Sequence, residues 1–223
     1  MKKQALVFDL DGTLVDSIAD LALALNLALA ALGRRSLLSD EVKHMVGDGA
    51  RVLVERALLA TGGAGDTEWT LGEFLLAYEA APDVHTRTWP GVEETLALLH
   101  EAGHRMALCT NKPERPSRTL LDSLGLDRYF PGVIGGDTLA HRKPHPSVSW
   151  AALATMDARP EQAVWIGDSA VDVASARAVG MPVIAVRYGY ARGSPDDLGA
   201  DAVIDAFEDL PLTLQRLAEE RRP

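Results

Sequence analysis

The sequence predicts an α/β fold, a doubly wound and mostly parallel sheet interrupted by an inserted all-helical cap. Three observations predict it. The apolar run Ala5-Leu6-Val7-Phe8 reads as a buried strand that delivers two acids, Asp9 and Asp11, and a Gly12-Thr13 turn at its carboxyl end. Residues 16–87 keep the apolar spacing of helices and show no evident strand. From Trp89-Pro90-Gly91 onward, short apolar strands alternate with helices, which is the pattern of a parallel sheet covered on both faces.

Within the insertion, Ser17 is placed to cap a helix in which Ile18, Leu21, Leu25, Leu29 and Leu32 share one face, ending at Gly33. Ser39 with Asp40 and Glu41 opens a second helix, broken at Gly47-Asp48-Gly49. A third covers 50–59 and runs into the loop Thr61-Gly62-Gly63-Ala64-Gly65. Asp66 or Thr67 starts a fourth, through Phe74, Leu75 and Tyr78, closed by Pro82. Beyond it the spacing predicts strands over 106–110, 133–135, 163–167, 183–186 and 202–204, and helices over 92–102, 115–124, 146–156, 170–179 and 208–219. The expected division is a core of residues 1–15 and 88–223, with a specificity-bearing cap over 16–87.

With 223 residues the chain can bury a full core. Its formal net charge of −10 argues against nucleic-acid or anionic-membrane partners, which need a basic face. A single cysteine, Cys109, excludes an intramolecular disulfide and a cysteine-based metal cluster and suits a reducing cytoplasm. Asp9 and Asp11 interrupt the first apolar run too early for a signal peptide, and the stretch from Ile18 to Leu32 is too short to span a membrane. The expectation is a soluble cytoplasmic protein, monomer or homodimer.

In open α/β sheets, sites form beyond the carboxyl ends of the strands. The chemistry-bearing residues there are few: Asp9 and Asp11; Thr110, followed by Asn111 and Lys112; Lys143 in the loop Arg142-Lys143-Pro144; and Asp168, with Asp172 one helical turn on. Each has an ordinary structural reading as well. Thr110-Asn111 would serve as a helix-entry turn, Lys143 as a solvated lysine, and Asp168-Ser169 as a helix N-cap. Paired carboxylates repel one another unless a cation sits between them, and a hard divalent ion such as Mg²⁺ is the simplest candidate. A hydroxyl, an ammonium and carboxylates at one sheet edge are together the components of phosphoryl transfer. An EF-hand is excluded because Leu14 occupies the position that needs glycine, and no histidine pair has HExxH spacing. Cys109 adjoins Thr110 on a strand, so it faces the opposite side as a core residue.

Asp9-x-Asp11-Gly12-Thr13, then Thr110, then Lys143, then Gly167-Asp168-x-x-x-Asp172, with a helical insertion after the first of these, resembles the haloacid dehalogenase superfamily, most of whose members are phosphohydrolases. The resemblance covers the whole chain. It implies that Asp9 is the nucleophile that forms an aspartyl-phosphate and that Asp11 is the general acid and base. It further implies that Thr110 and Lys143 stabilise the phosphoryl oxygens. Mg²⁺ would be held by Asp9, the backbone carbonyl of Asp11 and Asp168, with Asp172 holding a metal-bound water or orienting Lys143. An acid at Asp11 departs from the family's dehalogenases and phosphonate hydrolases.

Asp16-Ser17, Gly47-x-Gly49-Ala50, Thr110-Asn111-Lys112-Pro113, Lys143-Pro144-His145-Pro146 and Tyr188-Gly189-Tyr190 narrow the resemblance to the bacterial phosphoglycolate phosphatases. The implied substrate is a small phosphorylated metabolite, 2-phosphoglycolate. Asn111 and the cap residues Lys43 and Arg51 are the expected substrate-binding groups, with the two cations meeting its carboxylate. Asp48 suits such a substrate only if it points away. The alternatives are a phosphatase for another small ester (N-acetylmuramate 6-phosphate, pyrophosphate or a sugar phosphate), a β-phosphoglucomutase-like mutase, and a non-catalytic regulatory binding protein.

Overall fold

The computed structural model describes residues 3–220, so the extreme ends of the two core segments lie outside the described residues. Six parallel strands form the sheet: β1 (Ala5–Phe8), β4 (Arg105–Cys109), β5 (Gly132–Ile134), β6 (Ala163–Gly167), β7 (Val183–Val186) and β8 (Ala202–Ile204). Their order is β5-β4-β1-β6-β7-β8. β1 is therefore central, with Phe8 opposite Leu108 on one side and Ile166 on the other. Flanking it in sequence are helices α5 (Val92–Glu101), α6 (Glu114–Ser123), α7 (Pro146–Thr155), α8 (Ala170–Arg177) and α9 (Leu210–Glu220).

Strand periodicity sorts the core into two layers. Leu6, Phe8, Leu108 and Ile166 pack under α5, α6 and α9. Val7, Ala107, Cys109 and Trp165 point the other way, under α7 and α8. Burial on both faces is why these strands read as continuous apolar runs rather than as alternating ones. Fully burying a side chain such as Phe8 or Leu6 contributes about 1.5–3 kcal/mol.

The insertion folds as α1 (Ile18–Ala31), α2 (Ser39–Lys43), α3 (Ala50–Ala60) and α4 (Thr67–Ala80). Leu25, Leu29, Val42, Val54 and Phe74 form an apolar cluster of its own, separate from the two layers of the sheet. Asp66 caps α4 by accepting from the Trp69 N–H, as its position suggests. Ser39 lies inside α2, and the residue at its N-cap is Leu38, whose N–H donates to Glu41 at 2.9 Å. The last helix begins at Leu210, two residues later than its expected start, because a 3₁₀ turn over Phe207–Asp209 precedes it.

One pairing corrects the sequence reading. The two segments that join core and cap, β2 (Val15–Asp16) and β3 (Arg87–Thr88), pair antiparallel with Val15 opposite Thr88. Strands this short carry no periodicity, so the pairing depends on the cap returning to its point of departure. Asp20 secures that return: its buried carboxylate accepts from the backbone N–H groups of His85 and Thr86 and from the Thr86 hydroxyl at 2.7–2.9 Å.

Candidate active site

The carboxyl ends of β1, β4 and β6 converge at the centre of the sheet, and the cap lies over them. Asp9 follows β1 directly, and its N–H donates to the Ile166 carbonyl at 3.0 Å, which fixes the carboxylate at the sheet edge. Gly12 turns the chain away with φ of +87°, and a Cβ there would run into the Asp168 carboxylate. A Cβ on Gly189 would meet Asp168 as well. Asp168 is thus held in a slot that two glycines leave open, and the Tyr190 N–H donates to its Oδ2 at 2.6 Å.

Lys143, buried, donates to Asp9 Oδ1 and to Asp172 Oδ1, both at 2.8 Å. Burial works against its ammonium, but Asp172 and Asp9 outweigh it and hold the proton on. Burial also pushes the Asp9 carboxyl up to about 6, with Lys143 opposing and Asp172 reinforcing the rise. Asp168 is raised well above the carboxylate range, first by burial and then by Asp172 and Asp9. Carboxylate oxygens of Asp9, Asp168 and Asp172 lie within 4.8 Å of one another. Three buried hard oxygen donors that disfavour one another's charge are a donor set that suits a divalent cation such as Mg²⁺.

The three acids are not equivalent. Asp172 is fully saturated by protein: Oδ1 takes Lys143 and the Trp165 Nε1–H at 3.2 Å, while Oδ2 takes the Ser169 N–H and hydroxyl at 3.2 and 2.6 Å. Ser169 in return caps α8 by accepting from the Asp172 N–H. Of the two roles expected for Asp172, this geometry favours orienting Lys143 over binding metal. The Asp168-Ser169 cap expected from the sequence is real, and Ser169 is the residue that makes it.

Asp11 stands on the cap side. The Lys112 ammonium donates to its two oxygens at 3.0 and 3.1 Å, and the Ser17 hydroxyl donates to it from just past β2, in the hinge where the chain crosses into the cap. Thr110 is buried at the end of β4, with its N–H on the Ile134 carbonyl at 2.9 Å and its hydroxyl accepting from the Lys112 N–H. Asp9, Asp11, Thr110, Asn111 and Lys112 line one cavity together with the cap residues Leu21, Gly49, Leu53, Phe74 and Tyr78. Cys109 faces the opposite layer, where burial pushes its thiol up to about 12, so it is no nucleophile.

A profile of the haloacid dehalogenase-like hydrolases matches residues 6–186. The chain belongs to that family. A phosphoglycolate phosphatase of Rhodospirillum rubrum is 44% identical over 93% of this chain and 89% of its own length. Phosphoglycolate phosphatase 1 of Pseudomonas aeruginosa is 43% identical, over 96% of this chain and 80% of its own. Among solved structures, a predicted phosphoglycolate phosphatase from Haemophilus somnus superposes with a TM-score of 0.90 at 30% identity, covering 96% of this chain and 99% of that one. The parallel sheet with its helical cap is therefore the haloacid dehalogenase-like fold. Among the described residues, no helix is long and apolar enough to cross a membrane.

In this hydrolase the cap residues expected to meet substrate are placed elsewhere. Arg51 is half-exposed and its guanidinium is paired with Glu68, with Nη2 donating at 2.9 Å. Lys43 sits with its ammonium 5.6 Å from the Tyr190 ring, outside the cavity lining. Helical spacing could not show this, because which face of α2 and α3 turns inward depends on how the cap packs. Asn111 does border the cavity, but its Nδ2 is used on the Gly47 and Lys143 carbonyls at 3.0 and 3.3 Å, and its Oδ1 has no partner among the described residues. Asp48 does point away, held between Arg56 and Arg192.

Sequence reasoning missed Lys112, Ser17, Tyr78 and Tyr190 as site residues. Lys112 had a signal, since it follows Thr110-Asn111 at a strand's carboxyl end. Tyr190 had a weaker one in Tyr188-Gly189-Tyr190. Its hydroxyl donates to Asp16 at 2.7 Å and accepts from the Ser17 N–H at 2.8 Å, which braces the hinge beside Asp11.

Proposed function

We propose that this hydrolase is a Mg²⁺-dependent phosphomonoesterase that cleaves 2-phosphoglycolate to glycolate and phosphate through an aspartyl-phosphate on Asp9. The observation that carries the reading is the division of labour between the two acids of the first motif. Asp9 is bonded to Lys143 at the sheet edge, while Asp11 is bonded to Lys112 and Ser17 on the cap side, where a leaving group would lie. Curated relatives at 44% and 43% identity that carry the phosphoglycolate phosphatase name support the choice of ester.

In this mechanism Asp9, with one oxygen fixed by Lys143, presents the other to phosphorus. That geometry replaces a bimolecular encounter with an oriented attack. Lys143 and Thr110 stabilise charge on the phosphoryl oxygens, and losing one such preorganised donor costs about 3–4 kcal/mol. Asp11 gives a proton to the leaving alkoxide and then removes one from the water that opens the acyl-phosphate. The apolar cap walls, Leu21, Leu53 and Phe74, exclude bulk water during both steps. Asp9, Asp168 and the Asp11 backbone carbonyl would hold Mg²⁺. When bound, the ion neutralises the dianionic phosphoryl group beside the Asp9 carboxylate.

Phosphate release with Mg²⁺ from 2-phosphoglycolate, N-acetylmuramate 6-phosphate, pyrophosphate, ribose 5-phosphate and glucose 6-phosphate tests the reading, with Asp9→Asn as control. A kcat/KM at least about tenfold higher for 2-phosphoglycolate, abolished by Asp9→Asn, is the expected result. A flat profile or a larger preferred ester would overturn the substrate assignment. Turnover unaffected by Asp9→Asn would overturn the mechanism.

A further inference from the structure

We infer that Lys112 is the residue that selects a carboxylate on the leaving group, the role that the sequence assigned to Lys43 and Arg51. The inference rests on the phosphoglycolate reading and deepens it. An ester of this kind places a carboxylate one carbon beyond its bridging oxygen. That carboxylate must enter the cap side of the cavity, whose walls include Leu21, Leu53 and Phe74. An unpaired carboxylate against such walls carries a large desolvation cost, so the cavity must supply a cation.

Among the described residues that line this cavity, Lys112 is the one cation. Its side chain is 4% exposed, its ammonium lies 3.0 and 3.1 Å from the two oxygens of Asp11, and the Tyr78 ring of the cap sits 4.4 Å away. In the proposed mechanism Asp11 serves the bridging oxygen, so a cation one hydrogen bond beyond it stands where the carboxylate of the same ester would fall. Tyr78 belongs to α4, so the ammonium is complete in its surroundings only with the cap in place.

An ammonium has three donors. With two of them on the same acid, one can be exchanged for the ester's carboxylate while the other stays on Asp11, which the Ser17 hydroxyl also holds. The pair therefore admits a second anion without leaving either acid unbonded. A neutral alkyl group in the same place gains nothing from Lys112 and leaves it as it stands. Selection against esters with a neutral alkyl group is thus built into the one cation of the lining.

The test compares 2-phosphoglycolate with ethyl phosphate, which has a methyl group in place of the carboxylate, in the full chain with Mg²⁺. Wild type is expected to prefer 2-phosphoglycolate by about 100-fold or more in kcat/KM, and Lys112→Met to reduce that ratio to about tenfold or less. Should Lys112→Met fail to fold, Lys112→Gln keeps a donor for Asp11 and removes only the charge, with the same collapse of the ratio expected. A ratio that stays within about threefold of wild type in the folded variant would overturn the role of Lys112 while the substrate assignment stands. No preference in wild type would overturn both.

Discussion

Lys143 reaches across 134 residues of chain to place its ammonium 2.8 Å from Asp9, while the same nitrogen is held at 2.8 Å by Asp172. The nucleophile of the proposed reaction is thus oriented by a cation that is itself oriented by a third residue. Three consequences can be measured at this edge of the sheet and at its hinge, and a fourth far from it.

Lys143→Ala removes the cation from between buried acids. Breaking a buried charge pair by deleting one partner costs about 3–5 kcal/mol, and the transition state loses a donor besides. The expected outcome in Mg²⁺ is a kcat at least about 100-fold lower, with a clear fall in the urea midpoint. A variant with near-normal kcat would show that Asp9 needs no such orientation.

Asp172→Asn separates orientation from metal binding. Asp172 already has four hydrogen-bond partners, so the expected Mg²⁺ concentration for half-maximal activity shifts by less than about threefold, while kcat falls by about tenfold or more. Asp168→Asn is expected to do the reverse, raising the Mg²⁺ requirement strongly. A Mg²⁺ requirement raised at least as far by Asp172→Asn would make it a direct ligand. EDTA is expected to abolish turnover in wild type, and added Mg²⁺ to restore it.

Arg192 ties the core to the cap. Its Nε donates to the His44 carbonyl at 2.7 Å and its Nη2 lies 3.3 Å from Asp48. The contact is half exposed, so its loss is worth only about 0–1 kcal/mol of stability. Arg192→Ala is expected to leave the melting temperature nearly unchanged and to raise KM by severalfold, an effect that high salt reproduces in wild type. A loss confined to kcat would argue against a role in cap closure.

His104 makes stability depend on pH. Its Nδ1 accepts from the Gln4 N–H, and its Nε2 is buried without a partner among the described residues. Burial lowers its pKa from 6.5, so the folded state disfavours the imidazolium that the unfolded chain forms freely. Because the unfolded state binds the extra proton, this contribution is fully present above about pH 6.5 and is lost as pH falls toward the lower folded value. The difference in urea midpoint between wild type and His104→Gln is expected to move in favour of the variant between pH 7 and pH 5. A difference that stays constant would place no titration at His104.

Asp9, Thr110 and Asp168 were legible because each ends an apolar run, and a parallel sheet brings the carboxyl ends of its strands together whatever the loops do. Lys143 was legible as a strand-end candidate, and only its resemblance to a known motif set it apart from a solvated lysine, since a lone lysine in a loop carries no signal of burial. The β2–β3 ribbon, the inward position of Lys112 and the placement of Lys43 and Arg51 outside the cavity lining were not legible. Each depends on how the cap docks, and a helix sequence shows its apolar face without showing what lies opposite it.

By itself, then, the sequence determined the α/β core, the helical insertion, and the acids and hydroxyl at the strand ends, because local periodicity and strand termini are one-dimensional properties. Only the tertiary structure decided that Lys112 is the cation lining the cavity, that Asp172 is occupied by Lys143, Trp165 and Ser169, and that Asp48 turns toward Arg56 and Arg192. Those are choices among partners distant in the chain, and they are settled by which charges the packed interior leaves uncompensated.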